Sequence, residues 1–210
     1  MERRSPYHSA RRDSPRPRAR CPFKVRRSRT ARKGIAPAGT HVRTRTIGPY
    51  DLVVTHFVSA TADICGDYRY SLTRVWDEAL PTIAFVLLKP STADAVDLDP
   101  TLRRCVNFSR RDGYGSMKVL NLYAYRTPSP KMMLGAPDPV GPENDRVLAE
   151  ATGTVVAGWG TNASPARVAH ALTLLPPLKA LKITTQGHPQ HPLCIKGDSP
   201  LVDWPPRSAS

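Results

Sequence analysis

The sequence predicts an α/β domain: a three-layer sandwich with a mainly parallel four-stranded core sheet and an N-terminal strand pair. Three observations predict it. Apolar runs alternate with amphipathic helical stretches across short connections, which implies right-handed crossovers between parallel strands covered on both faces. Thr82–Leu88 (TIAFVLL) is a continuous apolar run, the pattern of a strand buried on both sides. The chain also divides by charge: residues 1–50 hold 15 Lys+Arg against two acids, and the rest balances 16 bases against 15 acids. The formal charge of +14 in 210 residues therefore belongs to an arm, residues 1–45, ahead of one near-neutral domain over 46–210.

The elements follow in order. Asp51–Ala60 and Tyr68–Trp76 read as the strand pair, turning at Gly66-Asp67. Thr82–Leu88 is the first parallel strand. Asp99-Pro100 then reads as an N-cap followed by proline at the first helical position. In that helix Leu102, Cys105, Val106 and Ser109 share one face, while Arg103, Arg104, Arg110 and Arg111 fall on the other and form a solvated stripe by default. Gly113–Gly115 ends it, and Lys118–Ala124 is the second parallel strand. A helix opens at Pro142-Glu143-Asn144-Asp145, whose acids suit the positive end of its dipole. Thr154–Ala157 is the third strand, closed by Gly158-Trp159-Gly160. Val168, Ala171, Leu172 and Leu175 mark a last helix ending at Pro176-Pro177, and Leu178–Thr184 is the fourth strand.

The arm mixes Arg, Ser and Pro with few large apolar side chains, so it cannot bury enough surface to offset its ordering entropy and reads as disordered. Its charge suits nucleic acid, where each neutralised phosphate releases counterions. A solvated tail, an organelle-type leader and a start codon placed too far upstream are the competing readings. No apolar run reaches the roughly 18–20 residues of a membrane span, and Met1–Arg20 lacks the apolar centre of a secretory signal. Cysteines 21, 65, 105 and 194 form no C-x-x-C pair, which favours isolated thiols, no metal–sulfur cofactor and a cytoplasmic setting.

In open α/β sheets ligands bind beyond the carboxyl ends of the strands, and four polar motifs follow strands here. Lys89-Pro90-Ser91 follows the first, Asn121 and Arg126 lie on and after the second, Trp159 follows the third, and His188 and His191 follow the fourth. His191 is the foremost candidate for chemistry, since imidazole donates a hydrogen bond or moves a proton near neutral pH, and prolines on both sides stiffen its segment. His188 is close enough to be the alternative donor. Asn121 offers a donor and an acceptor together, the complement of a base edge, or else ties down a neighbouring loop. Lys89 is a phosphate contact, a desolvated amine or a solvated side chain. Asp94, Asp97 and Asp99 form an oxygen-rich stretch, but Asp99 is accounted for as a cap and no partner carboxylate is evident. Metal is therefore not expected, and Asp94 is kept as a residue that could orient water. Ser91 lacks the elbow motif of a serine nucleophile, and Gly158-x-Gly160 lacks the third glycine of a dinucleotide fingerprint. Tyr123 and Tyr125 could stack on a base, although alternating aromatics in a strand are more often core.

The sequence resembles a known family at Tyr68-Arg69-Tyr70-x-Leu72-x-Arg74-x-Trp76, Leu88-x-Pro90-Ser91-Thr92-Ala93-Asp94, Asp99-Pro100-Thr101-x-Arg103-Arg104-Cys105 and Gly113-Tyr114-Gly115. Asn121-Leu122-x-Ala124-x-Arg126, Asp138-Pro139-x-Gly141-Pro142-x-Asn144-Asp145, Trp159-Gly160 and His191-Pro192-Leu193 continue the match. The family is the bacterial and phage group labelled domain of unknown function 1643, which has no settled activity. The order of motifs is also similar, more distantly, to the uracil-DNA glycosylase superfamily. That resemblance implies a first loop that positions water (Lys89–Ser91), a strand asparagine that reads the base (Asn121) and a histidine that stabilises the departing base (His191). The family pattern has Asn where Lys89 stands, and the superfamily has Ser where Leu193 stands. The resemblance implies a nucleobase- or nucleic-acid-recognising protein, an N-glycosidic bond hydrolase, acting without a cofactor. The alternatives are a non-enzymatic nucleic-acid-binding protein and an enzyme acting on a small nucleotide or nucleoside.

Overall fold

The computed structural model describes residues 57–91 and 98–205, together with the backbone of a strand at 25–28. Strand β4 (Thr82–Leu87) is the axis of the fold. Its side chains alternate between two apolar layers: Ile83, Phe85 and Leu87 join one cluster, and Ala84, Val86 and Leu88 the other. A strand lined on both faces can carry an unbroken apolar run, which explains the sequence signal.

Helix α1 (Pro100–Arg111) covers the first face through Leu102, Cys105, Val106 and Phe108. The second face is covered by Met133 of α2 (Pro130–Leu134), Val147 and Leu148 of α3 (Asn144–Ala149) and Ala171 of α4 (Pro165–Leu174). Each of α1, α2 and α4 starts with proline behind a side-chain cap, Asp99, Ser129 and Ser164 respectively. The arginine stripe of α1 is less solvated than expected. Arg110 lies over the Trp76 ring at 5.1 Å, Arg111 binds the Gly197 and Ser199 carbonyls, and Arg104 binds the Ile195 carbonyl.

Among the described residues eight strands form one mixed sheet, in the order β1-β2-β3-β5-β4-β6-β7-β8. Strands β5 (Ser116–Asn121), β4, β6 (Thr154–Ala157) and β7 (Leu178–Ala180) run parallel to one another. The flanks are antiparallel. On one side lie β1 (Val25–Ser28), β2 (Ser59–Cys65) and β3 (Tyr68–Val75), the last two joined across Gly66-Asp67. On the other side β8 (Val202–Trp204) pairs with β7.

Several expectations need correction. Neither β8 nor α2 was predicted, because three and five residues are too short to show a period. The described strand before the hairpin starts at Ser59, and 51–56 lie outside the described residues. The fourth parallel strand stops at Ala180, because Lys182 and Thr184 pair back onto Gln190 and His188 instead of continuing along the sheet. The second stops at Asn121, where the Leu122 carbonyl turns to Asn144 and Arg167. Cys65 is disulfide-bonded, so the expectation of isolated thiols fails there; Cys105 and Cys194 are free. No helix of the described residues is long and apolar enough to cross a membrane.

Candidate functional site

At the carboxyl ends of the four parallel strands the loops enclose a cleft of about 640 Å³, within the range of small-molecule sites. Lys89, Ser91, Asn121, Trp159 and His191 all line it, so five of the sequence candidates from four separate strand ends meet in one place.

Asn121 forms the most informative part of the lining. It is the last residue of β5 and, by the two-residue alternation of a strand, continues the row of Met117 and Val119 beneath α1. The side chain is 1% exposed, and neither its Nδ2 nor its Oδ1 has a hydrogen-bond partner. Leaving such a group unpaired costs about 1–3 kcal/mol, so a buried, unpartnered carboxamide beneath a cleft is a feature that needs a reason. Its backbone is fixed from the other side: the Asn144 amide donates to the carbonyls of Asn121 (3.1 Å) and Leu122 (3.0 Å), and Arg167 Nε donates to Leu122 O (2.7 Å).

His191 sits after β7 and caps the 3₁₀ turn Pro192–Cys194. Its Nδ1 accepts the Leu193 N–H at 3.3 Å, which places the proton of the neutral ring on Nε2. Burial lowers its pKa below the ordinary histidine value, and the charge of Asp99 opposes that shift. The ring is thus held as a neutral donor at physiological pH. The Trp159 and His191 segments are also joined, because the Gly160 N–H donates to Pro189 O at 2.9 Å. Gly160 has φ +72°, a conformation that favours glycine.

Three further groups complete the floor and wall. Lys89 Nζ donates to Thr127 O at 2.5 Å, and its pKa is lowered by burial and by Arg69, with Asp99 acting the other way. Ser91 Oγ donates to Asp99 Oδ2 at 2.7 Å, while Asp99 Oδ1 accepts the Leu102 N–H at 2.8 Å as the cap of α1. Arg69 lines the same cleft at 2% exposure, and burial lowers its guanidinium to about 10, still charged at neutral pH.

Other candidates fall outside the lining. Pro90 is buried between two lining residues without lining the cleft itself. Arg126 does not line the cleft, and its backbone N–H donates to Asp67 O beside the hairpin turn. His188 belongs to a tight turn, accepting from Thr184 N through its carbonyl and donating its N–H to Thr184 Oγ1. Asp94 and Asp97 lie outside the described residues. Trp159 is 2% exposed and packs edge-on against Trp204 at 5.0 Å, so it is a wall more than an open stacking platform. Tyr123 is core, and its hydroxyl bonds Ser164. Among the described residues no group of three or more His, Cys, Asp and Glu side chains is placed to hold a metal ion.

Sequence reasoning did not weigh Arg69 and set Asp99 aside as a helix cap. Arg69 lies in a mixed strand that also carries Ser71, Thr73 and Arg74, so no contrast with its neighbours marks it in the sequence. It enters the cleft because β3 runs antiparallel to β5, which sets its first residues beside β5's end, with Arg69 N–H bonded to Ala124 O at 2.9 Å. Asp99 was hidden by its own capping role.

The residues that build this cleft coincide with a family. Residues 69–193 match the group described as Protein of unknown function (DUF1643). The chain belongs to that family. The matched span of this DUF1643 protein opens at Arg69 and closes just past His191, so it holds every residue that lines the cleft except Cys194. No curated protein and no solved structure matches the chain.

Proposed function

We propose that this DUF1643 protein recognises a nucleobase in the cleft and hydrolyses its N-glycosidic bond. The observation that carries the reading is the unpartnered, buried carboxamide of Asn121 at the base of the cleft. A donor and an acceptor side by side match the donor–acceptor edge of a base, and the match would satisfy both buried atoms at once. His191 supports the chemistry. A base leaves carrying negative charge, and a preorganised neutral donor in a cleft stabilises that charge at little reorganisation cost. The order of motifs along the strands supports the likeness to the uracil-DNA glycosylase superfamily, with Asn121 and His191 in the base-reading and charge-stabilising roles. On a nucleic-acid substrate the base must leave the stack to reach a floor this deep, and the basic residues of the arm would supply phosphate contacts.

The test is base release from uracil-, hypoxanthine- and alkylated-base oligonucleotides, and from the corresponding nucleotides, by wild type, Asn121→Leu and His191→Ala. Wild-type release that falls by about a hundredfold or more in both variants supports the reading. Equal release by all three proteins removes it. A binding-only reading is favoured by one observation, the tethering of Lys89 to Thr127 O where the superfamily handles water. It predicts base binding that depends on Asn121, with no release from any substrate.

A further inference from the structure

We infer that Arg69 and Lys89 form an anion subsite in the cleft, which takes a phosphate carried on the sugar of the recognised base. The inference rests on the base-recognition reading above and names its substrate class: a nucleotide unit in place of a bare nucleoside.

Three observations carry it. Among the described residues two cationic side chains, Arg69 and Lys89, line the cleft against a single carboxylate, Asp99. That carboxylate is already engaged, accepting the Leu102 N–H on Oδ1 and the Ser91 hydroxyl on Oδ2. Secondly, the cations stand where charge is costly. Arg69 is 2% exposed and Lys89 is half-buried, and Arg69 lies close enough for its charge to disfavour the Lys89 ammonium. Arg126 and Arg74 add further like charge around Arg69, and Asp99 offsets only part of it. Like charges buried together are unfavourable, and an anion bound between them relieves both the desolvation and the repulsion. Thirdly, the Lys89 ammonium is aimed by uncharged groups, since its Nζ donates to the carbonyls of Thr127 at 2.5 Å and Pro90 at 3.5 Å.

The position suits a sugar phosphate. Strands β3 and β5 are neighbours, and the Arg69 N–H bonds Ala124 O, three residues beyond Asn121. At about 3.3 Å per residue, its backbone lies on the order of 10 Å along the chain from that of Asn121. A base on the Asn121 carboxamide can therefore extend its sugar and one phosphate toward Arg69. There a guanidinium fork matches two phosphate oxygens, and the lysine ammonium supplies a point charge to a third.

The test uses carbon-linked analogues, whose base cannot be released. Equilibrium binding of pseudouridine, formycin B, their 5′-monophosphates, a pseudouridine-containing oligonucleotide and inorganic phosphate is measured by calorimetry. The proteins are wild type, Lys89→Met, Arg69→Gln and Asn121→Leu, with thermal unfolding followed alongside. Wild type should bind the monophosphates about ten- to hundredfold more tightly than the nucleosides, the scale of hydrogen bonds to charged groups. Lys89→Met should close most of that gap with nucleoside affinity and melting unchanged, and Arg69→Gln should do the same wherever its melting shows an intact fold. Asn121→Leu should lose the nucleosides and keep inorganic phosphate. An oligonucleotide that binds at least as tightly as the monophosphate assigns the phosphate to nucleic acid, and a weaker one assigns it to a free nucleotide; either supports the subsite. Monophosphate affinity within twofold of the nucleoside in wild type overturns the subsite and leaves base recognition standing on Asn121. A gap that survives in Lys89→Met and in folded Arg69→Gln overturns it equally. Binding of none of the nucleosides or nucleotides overturns both readings.

Discussion

The side-chain amide of Asn144 bridges the two carbonyls at the end of β5, donating to Asn121 O at 3.1 Å and to Leu122 O at 3.0 Å. Asn144 is 1% exposed and opens α3 on the far face of the sheet. The residue proposed to read the base is thus aimed by a residue on the opposite layer. Leu122 O also accepts from Arg167, whereas Asn144 is the side-chain donor to Asn121 O. Replacing Asn144 with Leu should destabilise the protein by about 2 kcal/mol, the cost of stranding a buried carbonyl. It should also weaken base affinity several-fold. Urea unfolding checks the first effect and equilibrium binding of free uracil and hypoxanthine the second.

Asn121 makes the opposite prediction for stability. Its two polar atoms are buried without partners, so an apolar side chain of similar size relieves a desolvation cost. Asn121→Leu should stabilise the ligand-free protein by about 1 kcal/mol while abolishing base binding. A rise in the urea midpoint with loss of affinity is the expected pair of outcomes, and a fall in the midpoint counts against an unpartnered carboxamide.

His191 sets a pH dependence. Burial depresses its folded pKa below the unfolded value of 6.5, so the unfolded state takes up the proton first as pH falls. The stability linked to the neutral ring is therefore fully present above about pH 6.5 and is lost as pH drops through the lower folded value. His191→Gln removes that titration. Its stability should fall less than wild type's between pH 7.5 and 5, as read from unfolding curves at the two pH values.

Gly158 tests the packing between the third and fourth loops. A Cβ at this position would lie 3.1 Å from Leu87 Cδ2 and 3.2 Å from Pro192 Cδ. The Leu87 side chain can yield slightly, but the proline ring next to His191 is stiff. Gly158→Ala should cost about 1–2 kcal/mol by overpacking and reduce base affinity more than a surface Gly→Ala change would. Calorimetry and the same binding assay measure both.

Much of this arrangement is readable from residue types. The unbroken run of β4 announces a strand with cover on both faces, and Asp99-Pro100 announces the start of α1. Asn121 stands out because a carboxamide is costly in an apolar strand. The rest depends on pairings that sequence spacing does not encode. Arg69 reaches the cleft only because the hairpin returns antiparallel beside β5. His188 reads in the sequence as an alternative to His191, yet in the structure it is consumed by a turn with Thr184 while His191 lines the cleft. Trp159 reads as a glycine-flanked residue after a strand, and only the contact with Trp204 of β8 shows that it is packed. Asp99 shows a further limit, since the cap of α1 is legible from Asp99-Pro100 and its place in the cleft lining is not.

The bond from Gly160 to Pro189 has a consequence for how the cleft could acquire a different ligand. It rivets the wall carrying Trp159 to the wall carrying His191, so neither can be reshaped in isolation. A variant selected for a larger or smaller heterocycle would have to recut both loops together, or find its new room on the opposite bank, where Lys89 and Ser91 stand.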